Sequence, residues 1–388
     1  MDRRSLLKGL GAFAVAQGAL GCSNAQQAQL SVHLLRGAIP GQLLNQFKSR
    51  LKDQAQLNLV AEPEIAALFK QLQAWQQEAK TQPAGSKSPT HRPATLVSLG
   101  DYWLAEAIRQ GLIQPWPELP QWGQLPPRWQ TLVKRDRQGN FSPTGQIWGA
   151  PYRWGMTVIA YRKDKFRNLG WQPTDWQDLW RPELKQRFSL LDHPREVIGL
   201  TLKTLKQSYS TENLEAVTDL KQQLIALNQQ TKFYSSNAYL QPLVLGDTWA
   251  AVGWSNEVLS LMRRNQEISA IAPLSGTALW ADLWVQQKDN QKTEAKSTQT
   301  TQPIEPLLSQ LTRQWIDFWW QPEIANQLSQ FSSGVSPIIT PAQPSSPAKR
   351  LLLANASVFD RSEFLQPLSQ QAIADWRSLW VEIRQTVA

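Results

Sequence analysis

Apolar and polar positions along this chain switch repeatedly between alternation and a three-to-four-residue spacing. Residues 29–35 (QLSVHLL) predict a strand, and 40–53 a helix with Leu43, Leu44, Phe47 and Leu51 on one face. A second strand over Leu57 to Val60 leads to a helix from Ile65 to Glu78, and the apolar run at 95–99 feeds a helix at 102–110. The middle of the chain repeats the pattern as a separate unit. It has an apolar strand from Thr157 to Tyr161, a helix opening at Thr174 as N-cap and a strand at 188–191. A helix then begins near Pro194, another covers 212–229, a strand runs from Trp249 to Trp254, a helix from Asn256 to Arg264, and a strand over 268–272. An alternating strand at 278–286 and helices at 304–320 and 322–330 follow. The last helix, 370–386, turns Ile373, Trp376, Leu379 and Ile383 inward. Strands alternating with helices at this spacing predict an α/β fold with a mostly parallel sheet.

Three stretches fall outside that rhythm: 80–94 and 336–347, rich in Pro and Ser, and 287–302, almost devoid of apolar residues. They predict surface loops or linkers. The first 22 residues pair Arg3 and Arg4 with an apolar run from Leu10 to Leu20 that ends at Gly21-Cys22. A basic head and a short apolar core make an export signal, too short to span a bilayer permanently. The twin arginine resembles a Tat-type address, and Cys22 occupies the place where bacterial lipoproteins carry lipid. Together these point to a periplasmic protein tethered at the membrane.

About 366 residues remain after the signal in the 388-residue chain, material for two ordinary domains. Cys22 is the single cysteine, so no internal disulfide can form and packing must supply stability. The formal charge of +9 falls to +7 without residues 1–21, and the cations are dispersed. A nucleic-acid partner would require a basic stripe, which is lacking. Tryptophan is abundant, at 19 residues; most should pack cores, though indoles can also line a cleft for a cation.

Catalysis finds little support. The histidines His33, His91 and His193 lie far apart, no cysteine pair or His-x-x-x-His offers a metal site, and no nucleophile elbow or phosphate-cradling glycine loop occurs. Neither a metal nor a cofactor is expected. The chain reads as a binder, not an enzyme. In the strand Trp280-Ala281-Asp282-Leu283-Trp284, alternation places Trp280, Asp282 and Trp284 on one face. A carboxylate between indoles suits a cationic guest; a solvent-exposed edge strand is the competing reading. At Leu191-Asp192-His193-Pro194-Arg195-Glu196, a strand gives way to a helix with Asp192 or His193 as N-cap. Glu196 there serves either the cap or a ligand, and such junctions are where open α/β sheets bind ligands. Ala251 to Asn256 forms a second such junction, carrying Trp254.

Segments 148–161 (WGAPYRWGMTVIAY), 174–203, 249–257 and 280–285, with the D-W-x-D-L-W and R-E-V blocks, resemble the bacterial spermidine/putrescine-binding proteins of ABC importers. That resemblance covers nearly the whole mature chain. It implies a two-lobed periplasmic binding fold (type II) that hinges shut on an extended amine, with lobes of 29–152 plus 275–333 and 153–274 plus 334–388. It implies a monomer and a membrane permease as partner. Position by position, Glu196, Trp254, Trp280 and Asp282 match the family's ligand contacts; Tyr102 or Trp103 fits an aromatic contact and Gln366 a glutamine contact. Three positions depart from it. Leu34-Leu35-Arg36-Gly37 stands where the family carries aromatic, hydroxyl and acidic groups, His193 replaces an acid, and Gly334 falls at a family tyrosine. A polyamine is the leading ligand expectation. The alternatives are a zwitterionic or anionic compound held by Arg36, Arg153 or Arg195, and a degenerate binding protein with an assembly role.

Overall fold

In a computed structural model, residues 28–386 are described except 53, 82–94, 118, 120, 289–303, 340–345 and 354. The export signal, Cys22, His91 and most of the three loop stretches lie outside the described residues. The first third gives β1 (Ala28–Leu35), α1 (Gly41–Leu51), β2 (Ala55–Glu62), α2 (Ile65–Thr81), β3 (Leu96–Gly100) and α3 (Asp101–Arg109). Then come β4 (Ala150–Arg162), β5 (Phe188–Leu190), α4 (Pro194–Thr204), α5 (Leu220–Gln230), β6 (Ala250–Trp254), α6 (Ser255–Met262), β7 (Ile268–Ile271) and β8 (Ala278–Gln287). The last third includes α7 (Ile304–Trp319), α8 (Pro322–Phe331) and α9 (Gln370–Gln385).

The main sheet runs β2-β1-β3-β8-β4-β6-β5, with Phe233–Tyr234 beyond β5 and β7 on the flank of β4. Its two ends are parallel, as the sequence predicts, but its centre is antiparallel: β8 opposes β3 and β4, and β4 opposes β6. The sheet is therefore mixed. The reason is β4, thirteen residues long and buried at all but its last position, which is roughly twice an ordinary strand. Its first half pairs with β8 and its second with β6, so one strand serves both ends of the sheet.

One apolar core gathers Leu30, Val32, Phe47, Trp284, Trp315 and Trp319, and extends along the β6 side through Val258 and Leu259. A second collects Phe166, Trp176, Phe188, Ile198, Leu224 and Trp376. The many tryptophans are largely core residues. Trp284, fully buried, stacks on Tyr152 at 4.3 Å and meets Trp315 edge-on at 5.1 Å.

Local departures have identifiable causes. No α-helix opens at Thr174. The chain makes one short 3₁₀ turn over Trp176–Trp180, capped by Asp175 and braced by the Asp178 carboxylate, which accepts from the Thr174 and Asp175 N–H groups. Arg181 precedes a proline and is held extended, which stops the turn. Helix α5 starts at Leu220 instead of 212 because Asp219 adopts φ +64° and Glu212 is drawn to Ser369. Ile373 of α9 is exposed and Ala372 buried in its place; the Trp376 indole, donating to the Thr211 carbonyl at 3.1 Å, sets the helix rotation.

Candidate functional site

The site is laid out along one face of β4. Directly paired residues of neighbouring strands point to the same side, and alternate residues of one strand share a face. Arg153 pairs with Asp282, Gly155 with Trp280, and Thr157 with Trp254. Five residues of β4 thus bring three of the sequence-predicted residues into one row from two other strands. Gly155 is required there: a Cβ would run into the Trp280 indole and the Ser255 hydroxyl.

At one end of the row Glu196 enters from the first turn of α4. It does not cap the helix. Its Oε1 accepts from the Trp254 indole N–H at 3.3 Å, while Oε2 is buried without a partner among the described residues. Burial pushes the Glu196 carboxyl up to about 7, against the pull of Thr157, Trp254 and Arg195. His193 is the N-cap residue but makes no side-chain cap. Burial, then Arg195, lowers its imidazole to about 4, so it is neutral near pH 7. Tyr102, 46% exposed on α3, brings its ring to 5.5 Å from His193 and faces the α4 junction from the other end of the sheet.

At the other end, Asp282 is engaged. The Arg153 guanidinium donates to Asp282 Oδ2 from Nε at 2.8 Å and from Nη2, and a third N–H reaches the Ala38 carbonyl at 3.3 Å. The two side chains are 3% and 7% exposed. Arg153 also lies 5.5 Å from the Trp280 ring centroid and fills the space beside Gly334, where a Cβ would stand 2.5 Å from Arg153 Cγ. The competing picture of Asp282 on a solvent-exposed edge is excluded.

Other candidates are placed differently. Trp103 stacks on Phe69 at 4.6 Å and is half-buried, with its edge toward Tyr102. Gln366 braces Arg195 through its backbone carbonyl, and its side chain is exposed. Arg195 itself donates to the Tyr209 and Gln366 carbonyls and packs 5.0 Å from the Trp376 ring, while its Nε is buried without a partner among the described residues. Trp284, the third member of its predicted face, is sealed in the core. Beyond Arg153 a cavity of about 570 Å³ opens between the Leu35–Ala38 loop, the Leu240–Val244 segment and α6.

Sequence reasoning missed Asp101, which accepts the Ala281 N–H at 2.8 Å and whose carboxyl burial raises to about 7, and Glu257 and Arg264 of the cavity wall. An acid opening a helix after an apolar strand was a usable signal for Asp101. The other two are ordinary surface-type residues on α6 or just past its end, and nothing in their spacing marks them.

Residues 93–359 match the family described as bacterial extracellular solute-binding protein. This chain belongs to that family. It is 25% identical over 189 residues to spermidine/putrescine-binding periplasmic protein 1 of Haemophilus influenzae, covering 48% of this chain and 50% of the relative. Over 256 residues it is 24% identical to a putrescine/cadaverine-binding protein of Pseudomonas aeruginosa, covering 62% and 67%. The chain thus spans about half to two thirds of the length of these curated relatives. Among solved structures, the spermidine/putrescine ABC transporter substrate-binding protein of Streptococcus pneumoniae superposes with a TM-score of 0.69 at 18% identity, covering 92% of this chain and 99% of that one. A periplasmic thiamin binding protein superposes at 0.55 with 16% identity, covering 93% and 98%. The fold of the family member described here is accordingly the two-lobed periplasmic binding fold. No helix among the described residues is long and apolar enough to cross a membrane.

Proposed function

We propose that this protein is the extracytoplasmic solute-capturing component of an ABC importer and that its guest is a small organic amine, the class that includes the polyamines. The observation that carries this reading is Glu196, a buried carboxylate with one oxygen held by the Trp254 indole and the other without a partner. A carboxylate desolvated to this degree gains most from a cation that can donate to its free oxygen. The Trp254 indole holds the other oxygen, Oε1, and the Tyr102 ring closes on the same α4 junction through His193. The names of the two relatives given above, a spermidine/putrescine-binding and a putrescine/cadaverine-binding protein, point to the same chemistry. Trp280 and Asp282 stand further along the row, with Asp282 reserved for Arg153.

The lobes proposed are 29–152 plus 275–333 and 153–274 plus 334–388, with the chain crossing between them within β4, just before β8 and after α8. The change of partner along β4 supports a crossing within that strand, while Ala348, Leu352 and Phe364 of the last segment pack into the first core. Closure about these crossings would trap the guest and present the closed form to a permease. The protein is a monomer on this reading, exported by its twin-arginine leader and tethered through Cys22.

Titration calorimetry with spermidine and putrescine on the wild type and on Glu196→Gln tests the ligand assignment. Losing a charge-assisted hydrogen bond of about 1.5–3 kcal/mol should weaken binding by roughly tenfold to a hundredfold. Equal affinity in the variant, or no amine binding at all, overturns it.

A further inference from the structure

The cavity beside Arg153 has a character of its own. At about 570 Å³ it falls within the range of small-molecule sites. The loop after β1 brings Arg36 to it, and α6 with the turn beyond brings Glu257 and Arg264. Arg153 completes the charged lining, its guanidinium fixed by Asp282 Oδ2, the Ala38 carbonyl and the Trp280 ring.

The charges of this lining do not cancel. Arg153 is neutralised by Asp282, which is not itself part of the lining. Glu257 accepts the Tyr239 hydroxyl at 2.7 Å, and burial raises its carboxyl above the usual range with no cation opposing the rise. Arg36 and Arg264 have no carboxylate partner among the described residues. Their guanidinium groups make only long contacts to backbone, Arg36 to the Ala61 carbonyl at 3.5 Å and Arg264 to the Ser260 carbonyl at 3.4 Å. An oxyanion fits such a lining, because a guanidinium offers it two parallel N–H donors and the resulting bonds are about twice as strong as neutral ones. Neither arginine has to give up a strong bond to make them. Gln241 and Asn256, also in the lining, add amide N–H donors. An ammonium would meet three guanidinium groups and one carboxyl already in use, so like charge disfavours the amine here.

We infer that this cavity is a second binding site, separate from Glu196, for a small oxyanion, a carboxylate or a phosphate, gripped by Arg36 and Arg264. The inference goes beyond the amine reading and does not depend on it, since it needs no contact between the cavity and Glu196. On the lobe division proposed above, Arg36 and Arg264 belong to different lobes, so an anion held by both joins the two.

Titration calorimetry in chloride buffer, with succinate and inorganic phosphate as probes, tests this. The expected result is saturable binding of at least one probe, with one site per chain. Arg36→Ala and Arg264→Ala, both at exposed positions, should each weaken it by about tenfold or more. Arg377→Ala, an equal loss of charge at an exposed position of α9, should leave it unchanged, and putrescine should not displace the anion. Silence with both probes, or wild-type affinity in either cavity variant, overturns the inference and leaves the amine reading intact. An equal loss in Arg377→Ala overturns it too, by reducing the effect to net charge, and displacement by putrescine overturns the separation of the two sites.

Discussion

Replacing Asp282 with Asn removes the anion beside a guanidinium that is 3% exposed. A buried ion pair broken by loss of one partner costs about 3–5 kcal/mol, because the remaining charge stays desolvated. The amide oxygen of Asn can still accept one of the two Arg153 donors, which places the expected loss near the lower figure, about 3 kcal/mol. A second effect works in the opposite direction. Asp101, buried beside Ala281, feels Asp282 as a like charge, and neutralising Asp282 relieves that repulsion. Apolar replacement of the whole pair, Arg153→Met with Asp282→Leu, removes both buried charges together and should cost far less than Asp282→Asn, or stabilise. Urea unfolding followed by circular dichroism, run on wild type, both single variants and the pair, yields the coupling directly. A loss below about 1 kcal/mol for Asp282→Asn, or a pair that costs the sum of its single changes, would refute the claim that Arg153 and Asp282 neutralise each other.

Other consequences follow from the same row of residues. Glu196 is raised from 4.5 to about 7, so the native state holds its proton more tightly than the unfolded chain. Its contribution is full below the ordinary carboxylate range and is lost as pH rises through about 7; at 1.36 kcal/mol per unit the upper bound is about 3 kcal/mol. Glu196→Gln should flatten this fall in thermal stability between pH 4 and 8, and a slope as steep as in wild type would contradict the assignment. Amine affinity should weaken as pH drops below about 7, with proton release on binding, which calorimetry in buffers of different ionisation enthalpy detects. Gly155→Ala forces the Trp280 indole and Ser255 apart and should cost about 1–3 kcal/mol by overpacking, together with ligand affinity; a neutral result in both would show that the row tolerates a shift. Gly334→Ala should destabilise the wild type and cost less in an Arg153→Ala background, because the closest clash is with Arg153 Cγ at 2.5 Å and only the tight approach to the Trp154 carbonyl at 3.0 Å would remain. Equal cost in the two backgrounds would place the strain elsewhere.

Most elements were legible because their cause is local. The 3.6-residue stripe of α1, the alternation in β8 and the strand-to-helix junction at Glu196 depend on neighbours a few positions away, and each formed where the pattern placed it. The helix expected from Thr174 failed for a reason also written locally, the proline after Arg181, but the capping carboxylates of Asp175 and Asp178 outcompeted the apolar pattern. What the chain alone determined is the kit: α/β units, one anion on a strand face, another at a strand-to-helix junction, and indoles to flank them.

Which anion is free was a tertiary decision. Arg153 and Asp282 are separated by 129 positions, and only the antiparallel register of β4 against β8 sets them face to face. Charge adds up in space, so a carboxylate's availability depends on what folds within a few ångströms of it. The same holds for Arg36 and Arg264, ordinary surface cations in the sequence that the fold turns toward one cavity.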